Sequence, residues 1–214
     1  MLDMRLRISV GIAALALAGT ATVRPATQMG RPFTSNAVLQ RDQWCPVFGL
    51  DLPGGIVTVK FAGQALTATA DAAGHWRVNL APLPAWATPR TLTADGSSRL
   101  ALTNILVGDV WLISGQSNAD WPLSSAAGGA VAMASATNGL IRYRHMAESP
   151  LTTAAAWTPA ETAKLNPRDY FSGAWRVSDP STAGAVSAVG YFFAQMLQTN
   201  QNLPIGLIDC TVGG

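Results

Sequence analysis

The stretch ILVGDVWLISGQSN, residues 105–118, gives the strongest indication of the fold class of this chain. Its first part, Ile105–Ile113, is apolar except at Gly108 and Asp109. A run of this kind is typical of a strand in a parallel sheet, buried on both faces by helices. A short polar turn, Ser114–Asn118, follows it directly. The stretch therefore predicts the first strand of an α/β domain, with a polar turn at its carboxyl end.

The residues that follow continue the α/β pattern. Ile141–Met146 and Ile205–Asp209 are further strand candidates, and Pro150–Asp179 is predicted to be a long loop. A helix with Ser187 as its N-cap precedes the last strand. Its apolar face has helical spacing and comprises Val189, Phe192, Phe193, Met196 and Leu197. Residues 105–214 are therefore predicted to form a doubly wound parallel sheet, which binds ligands beyond the carboxyl ends of its strands.

The upstream residues have the alternation of β-structure instead. Apolar and polar residues alternate along residues 57–61 and 76–80, which is typical of strands with one buried face. Turn signals such as Pro53-Gly54-Gly55 and Asp95-Gly96 separate the strand candidates. Short strands at this spacing predict a small β-sandwich over residues 30–104.

Residues 1–21 are predicted to be a signal peptide. Arg5 and Arg7 precede an uncharged, mostly apolar run, residues 8–18, and Gly19–Ala21 supplies a small-x-small cleavage pattern. The run is too short to span a bilayer comfortably, and no later stretch is long enough. We therefore expect an exported protein, periplasmic or extracellular, with no membrane attachment after signal cleavage.

Composition favours a globular protein that does not bind nucleic acid. Hydrophobic residues make up 49% of the chain, and 14 Lys and Arg stand against 12 Asp and Glu, for a net charge of +2. This balance, without a basic run, gives no electrostatic footprint for nucleic acid. Cys45 and Cys210 fall in different predicted domains, so we expect both to be unpaired and buried as small apolar side chains.

Ser117 in the polar turn is the candidate nucleophile. A serine hydroxyl needs a base to take its proton and donors to hold the developing oxyanion. Gly115 allows the sharp turn that presents both the hydroxyl and backbone N–H groups. The motif is not the G-x-S-x-G elbow, because Ala119 holds the last position. The alternative is an ordinary turn in which Ser117 or Asn118 caps a helix.

Four stretches, in order along the chain, resemble the sialate O-acetylesterase family of the SGNH hydrolases. They are FTSNAVLQRDQWCPVFG (33–49), GDVWLISGQSN (108–118), SAVGYFFA (187–194), and PIGLI (204–208) with the later Gly213-Gly214. The resemblance covers the chain from about residue 30 to its end. It implies an SGNH-type sheet, incomplete at its C-terminal end and preceded by the small β-sandwich.

The resemblance implies a serine esterase that removes O-acetyl groups from sialic acid or related acetylated sugars, with no metal and no cofactor. Ser117 would be the nucleophile, and its own N–H would be one oxyanion donor. Gly213 or Gly214 would supply another donor, and the choice between them stays open. Gln116 and Asn118 would shape the turn. Because Ser117 and the glycines each follow a strand, both ends are expected at one crevice.

The chain also departs from the family. Ala119 and Asp120 stand where Met and Glu are usual, and Val212 stands where Trp is common. Cys210 replaces a frequent Ser. The family's catalytic Asp and His lie beyond residue 214, and this chain has no Asp-x-x-His. We therefore expect a truncated chain with poor ester hydrolysis and marginal stability, because its third strand would have an uncovered far edge.

The remaining histidines and aspartates are expected to be structural. His75 lies in a turn of the β region and should be solvated. His145 ends the second strand, and a role as base is the alternative to a structural one. Asp109 and Asp209 are each expected to accept hydrogen bonds from nearby backbone.

A non-catalytic function is the competing hypothesis. The chain would then be a secreted carbohydrate-binding protein or a remnant pseudoenzyme. Trp44, Trp76 and Trp86 could stack on sugar rings, although large aromatic side chains are more often part of a core.

Overall fold

The computed structural model of the chain describes residues 26–148, 157–165 and 171–213. The predicted signal peptide, residues 1–21, and Gly214 lie outside them. The described part is a mixed α/β structure that consists mostly of sheet and has few helices. None of its helices has both the length and the apolar character needed to cross a membrane.

Strands dominate the described residues from the beginning. The first half contains β1 (Gln28–Met29), β2 (Val38–Gln40), β3 (Cys45–Leu50), β4 (Ile56–Phe61), β5 (Gln64–Thr69), β6 (His75–Leu80), β7 (Trp86–Asp95) and β8 (Arg99–Ile113). The second half contains α1 (Gly129–Ala134), β9 (Ile141–His145), β10 (Ala147–Glu148), α2 (Pro159–Thr162), β11 (Phe171–Ser172), β12 (Arg176–Val177), α3 (Ala188–Gln201) and β13 (Ile205–Asp209). The predicted strands at 57–61, 76–80, 141–146 and 205–209 are confirmed by β4, β6, β9 and β13. The predicted loop 150–179 instead contains α2, β11 and β12 where it is described.

The first half forms two sheets around one core. β1, β3 and β6 make a three-stranded sheet, while β5, β4, β7 and β8 are neighbours in the larger one. Val57 and Val59 of β4 and Leu92 of β7 share a core with Val47 of β3 and Leu80 of β6. All five are fully buried. The apolar and polar residues alternate in the sequence because each strand has one buried and one exposed face.

Strand β8 belongs to both halves of the molecule. Residues 99–107 pair antiparallel with β7, and Asp109–Ile113 pairs in parallel with β13. Ile105 and Val107 lie in the core of the first half. The predicted domain boundary, between residues 104 and 105, falls inside this continuous strand.

The second half of the sheet has the order β12-β9-β13-β8. β13 pairs in parallel with β8 on one side and with β9 on the other, so Asp209 is level with both Ile113 and His145. The expectation that the third strand has an uncovered edge is therefore wrong, because β13 is central. The open edge is on β8: within the described residues, Trp111–Ile113 pairs with no strand on its second side, and Leu112 is 64% exposed.

Helix α3 begins as predicted but turns a different face to the core. Ser187 is its N-cap, and its Oγ accepts a hydrogen bond from the Gly190 N–H at 3.2 Å. The buried residues of the helix are Ala188, Gly190, Tyr191, Ala194 and Gln198. Val189, Phe192 and Met196 are exposed, and only Phe193 and Leu197 of the predicted face pack against the core. The predicted apolar face is therefore wrong in most of its positions.

Close packing of α3 on the sheet explains why small residues form its buried face. A Cβ on Gly190 would lie 3.0 Å from Cγ1 of Ile113, so the helix touches β8 at this point. Small residues such as Gly190 and Ala194 permit this approach, and large ones would hold the helix away. Phe193 reaches the sheet from beside this contact, where its ring meets that of Trp111 edge-on with centroids 5.1 Å apart.

Because α3 has one exposed and one buried face, a lysine introduced at two nearby positions should change the free energy of unfolding by different amounts. Met196→Lys should change the free energy of unfolding by less than about 0.5 kcal/mol, because Met196 lies at the surface. Ala194→Lys should lower it by roughly 3 kcal/mol or more, because it would bury an ammonium group. Urea unfolding of both variants measures the difference. Equal losses would contradict the observed face.

Both cysteines are free thiols, as expected. Cys45 begins β3 and is half-buried, and burial raises the pKa of its thiol to about 11. Cys210 follows β13 and is also half-buried, with its Sγ 3.6 Å from the Sδ of Met146. Burial raises the pKa of the Cys210 thiol as well.

Slow alkylation of Cys45 follows from its raised pKa. Because the thiolate is the nucleophile, iodoacetamide at pH 8 should modify Cys45 roughly 10²-fold more slowly than free cysteine. Timed alkylation followed by peptide mapping measures this rate, and alkylation in denaturant provides the control. A rate in the folded protein equal to that of free cysteine would contradict the buried environment.

Candidate active site

The carboxyl ends of β8 and β13 meet at one edge of the sheet. Beyond the strands, the Cys210 N–H donates to the Ile113 carbonyl at 2.9 Å, and the Val212 N–H donates to the Gly115 carbonyl at 3.1 Å. This pairing brings the end of β13 alongside the turn that follows β8. The segments that contain Ser117 and Gly213 are therefore neighbours.

The Ser117 turn, residues 114–120, is closed by its own backbone. Gly115 has a φ of +147°, a conformation that residues with a side chain rarely adopt. The Gln116 carbonyl accepts from the N–H of Ala119 at 2.7 Å and from the N–H of Asp120 at 3.0 Å. Ser117 is exposed within this turn. Its side chain is therefore accessible to a substrate.

The chain beyond the turn is fixed to the start of α3. The next helical turn is the 3-10 segment Leu123–Ser125, whose N-cap is Pro122. Within the described residues no helix begins at Ser117 or Asn118, so the predicted alternative is seen only as the ordinary turn over residues 116–120. The Leu123 N–H donates to the Val186 carbonyl at 2.9 Å, just before α3 begins. The Ser117 turn thus lies between the end of β13 and the start of α3.

Asp209, the last residue of β13, is buried and joins several elements at this edge. Its Oδ2 accepts from the Ser187 N–H at 2.9 Å. Its Oδ1 accepts from the Thr211 N–H at 3.2 Å and from the Thr211 hydroxyl at 2.6 Å. The expectation that Asp209 binds nearby backbone is confirmed. Burial alone would raise the pKa of Asp209, but hydrogen bonds from His145, Thr211 and Ser187 outweigh it and hold the pKa below its ordinary value.

Sequence reasoning missed the contact between Asp209 and His145. The Nδ1 of His145 lies 3.4 Å from the Asp209 Oδ2, and the His145 side chain is 38% exposed. Asp209 can therefore orient this imidazole. His145 lies on β9 and is separated from β8 by β13, a lateral distance of about 10 Å. His145 is thus on the far side of β13 from the strand that leads to Ser117.

Asp109 binds a side chain, not backbone as expected. The Nε of Arg41 donates to the Asp109 Oδ1 at 2.8 Å. This ion pair fastens β8 to the residue that follows β2, away from the turn. His75 is exposed and contacts Asp71, as its predicted surface position requires.

Two residues that were not among the predicted site residues connect the neighbouring segments. The Thr211 Oγ1 lies 2.9 Å from the Asp120 Oδ1. A Cβ on Gly213 would lie 2.8 Å from the Asp120 Oδ2. The other predicted oxyanion donor, Gly214, lies outside the described residues. Within the described segments, no three His, Cys, Asp or Glu side chains come together as a metal site would require.

A solved structure matches this architecture. The crystal structure of an enzyme from Xanthomonas citri superimposes on the chain with a TM-score of 0.77 and 35% sequence identity. That enzyme is a carbohydrate acetylesterase. The match covers 88% of this chain and 41% of that chain, so this chain spans about two-fifths of the acetylesterase. No family model and no curated protein matches the chain. The similarity supports a relationship to acetylesterases and accounts for the mixed α/β fold.

Proposed function

We propose that this chain carries the nucleophile of an exported serine esterase that removes O-acetyl groups from sialic acid or related acetylated sugars. The Ser117 Oγ attacks the acetyl carbonyl and gives up its proton, the bond between that carbon and the sugar oxygen breaks, and the sugar leaves as an alcohol that carries one proton. Water then hydrolyses the acetyl-Ser117 intermediate to acetate. The N–H groups of Ser117 and of Gly213 or Gly214 stabilise the oxyanion formed in each step.

One observation carries the proposal. The Ser117 turn lies beside the Gly213 segment at the carboxyl edge of a parallel sheet, in a chain similar to a carbohydrate acetylesterase. This edge is where α/β folds bind their ligands. The SGNH type of the sheet, the β-sandwich and export directed by residues 1–21 belong to the same proposal. They are supported by the four matching stretches and by the signal-peptide pattern.

The base of the reaction is not assigned to His145. A general base must come within about 3 Å of the proton that it takes. His145 lies on β9, two strands away from β8, and its Nδ1 lies beside the Asp209 carboxylate. We assign His145 and Asp209 to the structure of the sheet edge instead.

Acetyl transfer from a panel of esters tests the proposed function. The panel contains O-acetylated sialic acid, acetylated xylo-oligosaccharide and p-nitrophenyl acetate. We expect acetate release or an acetyl adduct mapped to Ser117 by mass spectrometry, with the acetylated sugars ranked by rate. No adduct on Ser117 and no acetate from any ester would refute the proposal. A preference for the xylo-oligosaccharide would support the proposed esterase activity but contradict sialic acid as its substrate.

Carbohydrate binding without catalysis remains the second candidate because of Trp44. This side chain is 66% exposed in the β region, where an indole can stack on a sugar ring. Trp76 is buried in the core and cannot do so, and Arg90 covers the ring of Trp86 at 3.8 Å. Glycan binding that is lost in Trp44→Ala and kept in Ser117→Ala, without acetate release, would favour this candidate.

A further inference from the structure

Asp120 connects the Ser117 turn to the segment beyond β13. It is the last residue of the turn, and its N–H is held by the Gln116 carbonyl at 3.0 Å. Its Oδ1 lies 2.9 Å from the Thr211 Oγ1, and its Oδ2 lies 2.8 Å from the place where a Cβ on Gly213 would be. One carboxylate therefore contacts the Thr211 side chain and fills the space that a side chain at Gly213 would occupy.

Thr211 anchors this contact to the interior of the protein. Its side chain is buried, and its Oγ1 lies 2.6 Å from the Asp209 Oδ1. Asp209 in turn accepts from the Ser187 N–H at the start of α3. The Thr211 Oγ1 thus lies between the Asp120 and Asp209 carboxylates, and its single proton is donated to one of them at a time. Because Thr211 and Asp209 are shielded from water, these contacts hold their partners more firmly than surface contacts would.

We propose that Asp120 and Thr211 are positioning residues for acyl transfer, which set the distance between the Ser117 turn and Gly213. The inference rests on the proposed function. An oxyanion hole works only when both N–H donors come within about 2.7–3.1 Å of the same oxygen. Those donors lie on separate segments here, and Asp120 is in contact with both. A displacement of about 1 Å between the segments would be enough to lower the rate substantially.

Glycine at position 213 is part of the same arrangement. A methyl group there would come closer to the Asp120 Oδ2 than protein Cβ atoms are observed to approach. Gly213→Ala should therefore push Asp120 away from the segment, even with the Thr211 hydroxyl in place. The contact requires a hydroxyl at residue 211 and no side chain at residue 213.

The test compares Thr211→Val, which removes the hydroxyl at nearly constant volume, with Thr211→Ser, which keeps it. Hydrogen–deuterium exchange of the Ala119 and Asp120 amides reports on the turn itself. The rate constant and the half-saturating concentration for acetylation of Ser117 by p-nitrophenyl acetate report on function. Amides in β4, remote from the site, control for general unfolding.

We expect Thr211→Val to speed exchange in the turn at least about tenfold, because the hydroxyl anchor is lost. It should lower the acetylation rate constant about tenfold, with little change in the half-saturating concentration. Thr211→Ser should restore both values. Asp120→Ala should behave like the valine variant. Asp120→Asn should keep most of the wild-type rate constant, because its side-chain amide can still form a hydrogen bond with the Thr211 Oγ1.

Unchanged exchange in Thr211→Val would overturn the inference, because the contact would not hold the turn. Faster exchange with a normal acetylation rate constant would overturn the positioning role. If the unsubstituted protein shows no acetylation of Ser117 with any ester, the proposed function and the positioning role both fail. The exchange data would then still show whether the contact fixes the turn.

Discussion

Replacement of Ser117 by alanine is expected to reduce acetylation of this segment at least about 10³-fold, to the background level. Alanine lacks the attacking oxygen, and no other group can form the same intermediate. p-Nitrophenyl acetate is the reagent of choice because its leaving group needs no protonation. Peptide mapping by mass spectrometry after timed exposure measures the loss. The fold should survive, because Ser117 is exposed in a turn that the Gln116 carbonyl closes.

Ser125→Ala is the matched control for this experiment. Ser125 is also exposed and lies in the next helical turn along the chain. Its replacement should leave acetylation of Ser117 at the wild-type rate. An unchanged total adduct in Ser117→Ala, or an equal loss in Ser125→Ala, would mean that the reagent labels the surface without a nucleophilic site.

Replacement of Asp209 by alanine should destabilise the protein more than any change at the surface. The carboxylate is buried and accepts from Ser187, from Thr211 and from the imidazole of His145. Its loss leaves several buried donors without an acceptor, at a cost of about 3–5 kcal/mol. For a chain of this length the melting temperature should fall by about 10 °C. Calorimetry or circular dichroism during heating measures the change.

Because of the same carboxylate, we expect the free energy of unfolding to depend on pH in the acid range. The pKa of Asp209 is lower in the folded protein than its ordinary value of 3.8. The folded protein thus binds this proton less readily than the unfolded protein does. The ionised Asp209 therefore contributes its full stabilisation of the folded state above about pH 5. The contribution is lost as the pH falls through the folded pKa. Asp209→Asn should therefore flatten the decline of stability below about pH 5.

Asp42→Ala is the control for both measurements. Asp42 pairs with Arg41 at the surface, and such pairs contribute less than about 1 kcal/mol. Its removal should leave the melting temperature nearly unchanged. If Asp42→Ala and Asp209→Ala lower stability equally, or if the acid decline in Asp209→Asn is as steep as in the unsubstituted protein, the buried network is not what stabilises this edge.

Strands and helix ends could be predicted from the sequence where the residues of one segment alone determine them. The last strand, Ile205–Asp209, has its predicted bounds, and Ser187 caps the helix as predicted. Strand alternation and helix capping are set by neighbours along the chain, so periodicity finds them. The face of α3 was missed for a physical reason. The pattern ranks large side chains as core, but close approach to β8 selects Gly190 and Ala194.

Features that depend on strand order could not be predicted in this way. Nothing in the local pattern places β13 between β8 and β9, and that order decides which residues meet. It brings Asp209 to His145 and, in the part of the chain that the structure describes, leaves the second side of Trp111–Ile113 unpaired. The candidate site was predictable in part. Ser117 was predicted from its turn after a strand and from the family resemblance, and Gly213 or Gly214 from that resemblance. Asp120 and Thr211 become visible only when the two strand ends lie together.

Strand β8 constrains how this protein can exchange parts with others during evolution. A break at residue 104 would separate β7 from Ile105 and Val107, which complete the core of the first half. Recombination that moves the β half with its core intact must therefore carry β8 as far as Val110, three residues before the strand ends and seven before Ser117. Exchange at the boundary that the sequence suggests would divide this core between two genes.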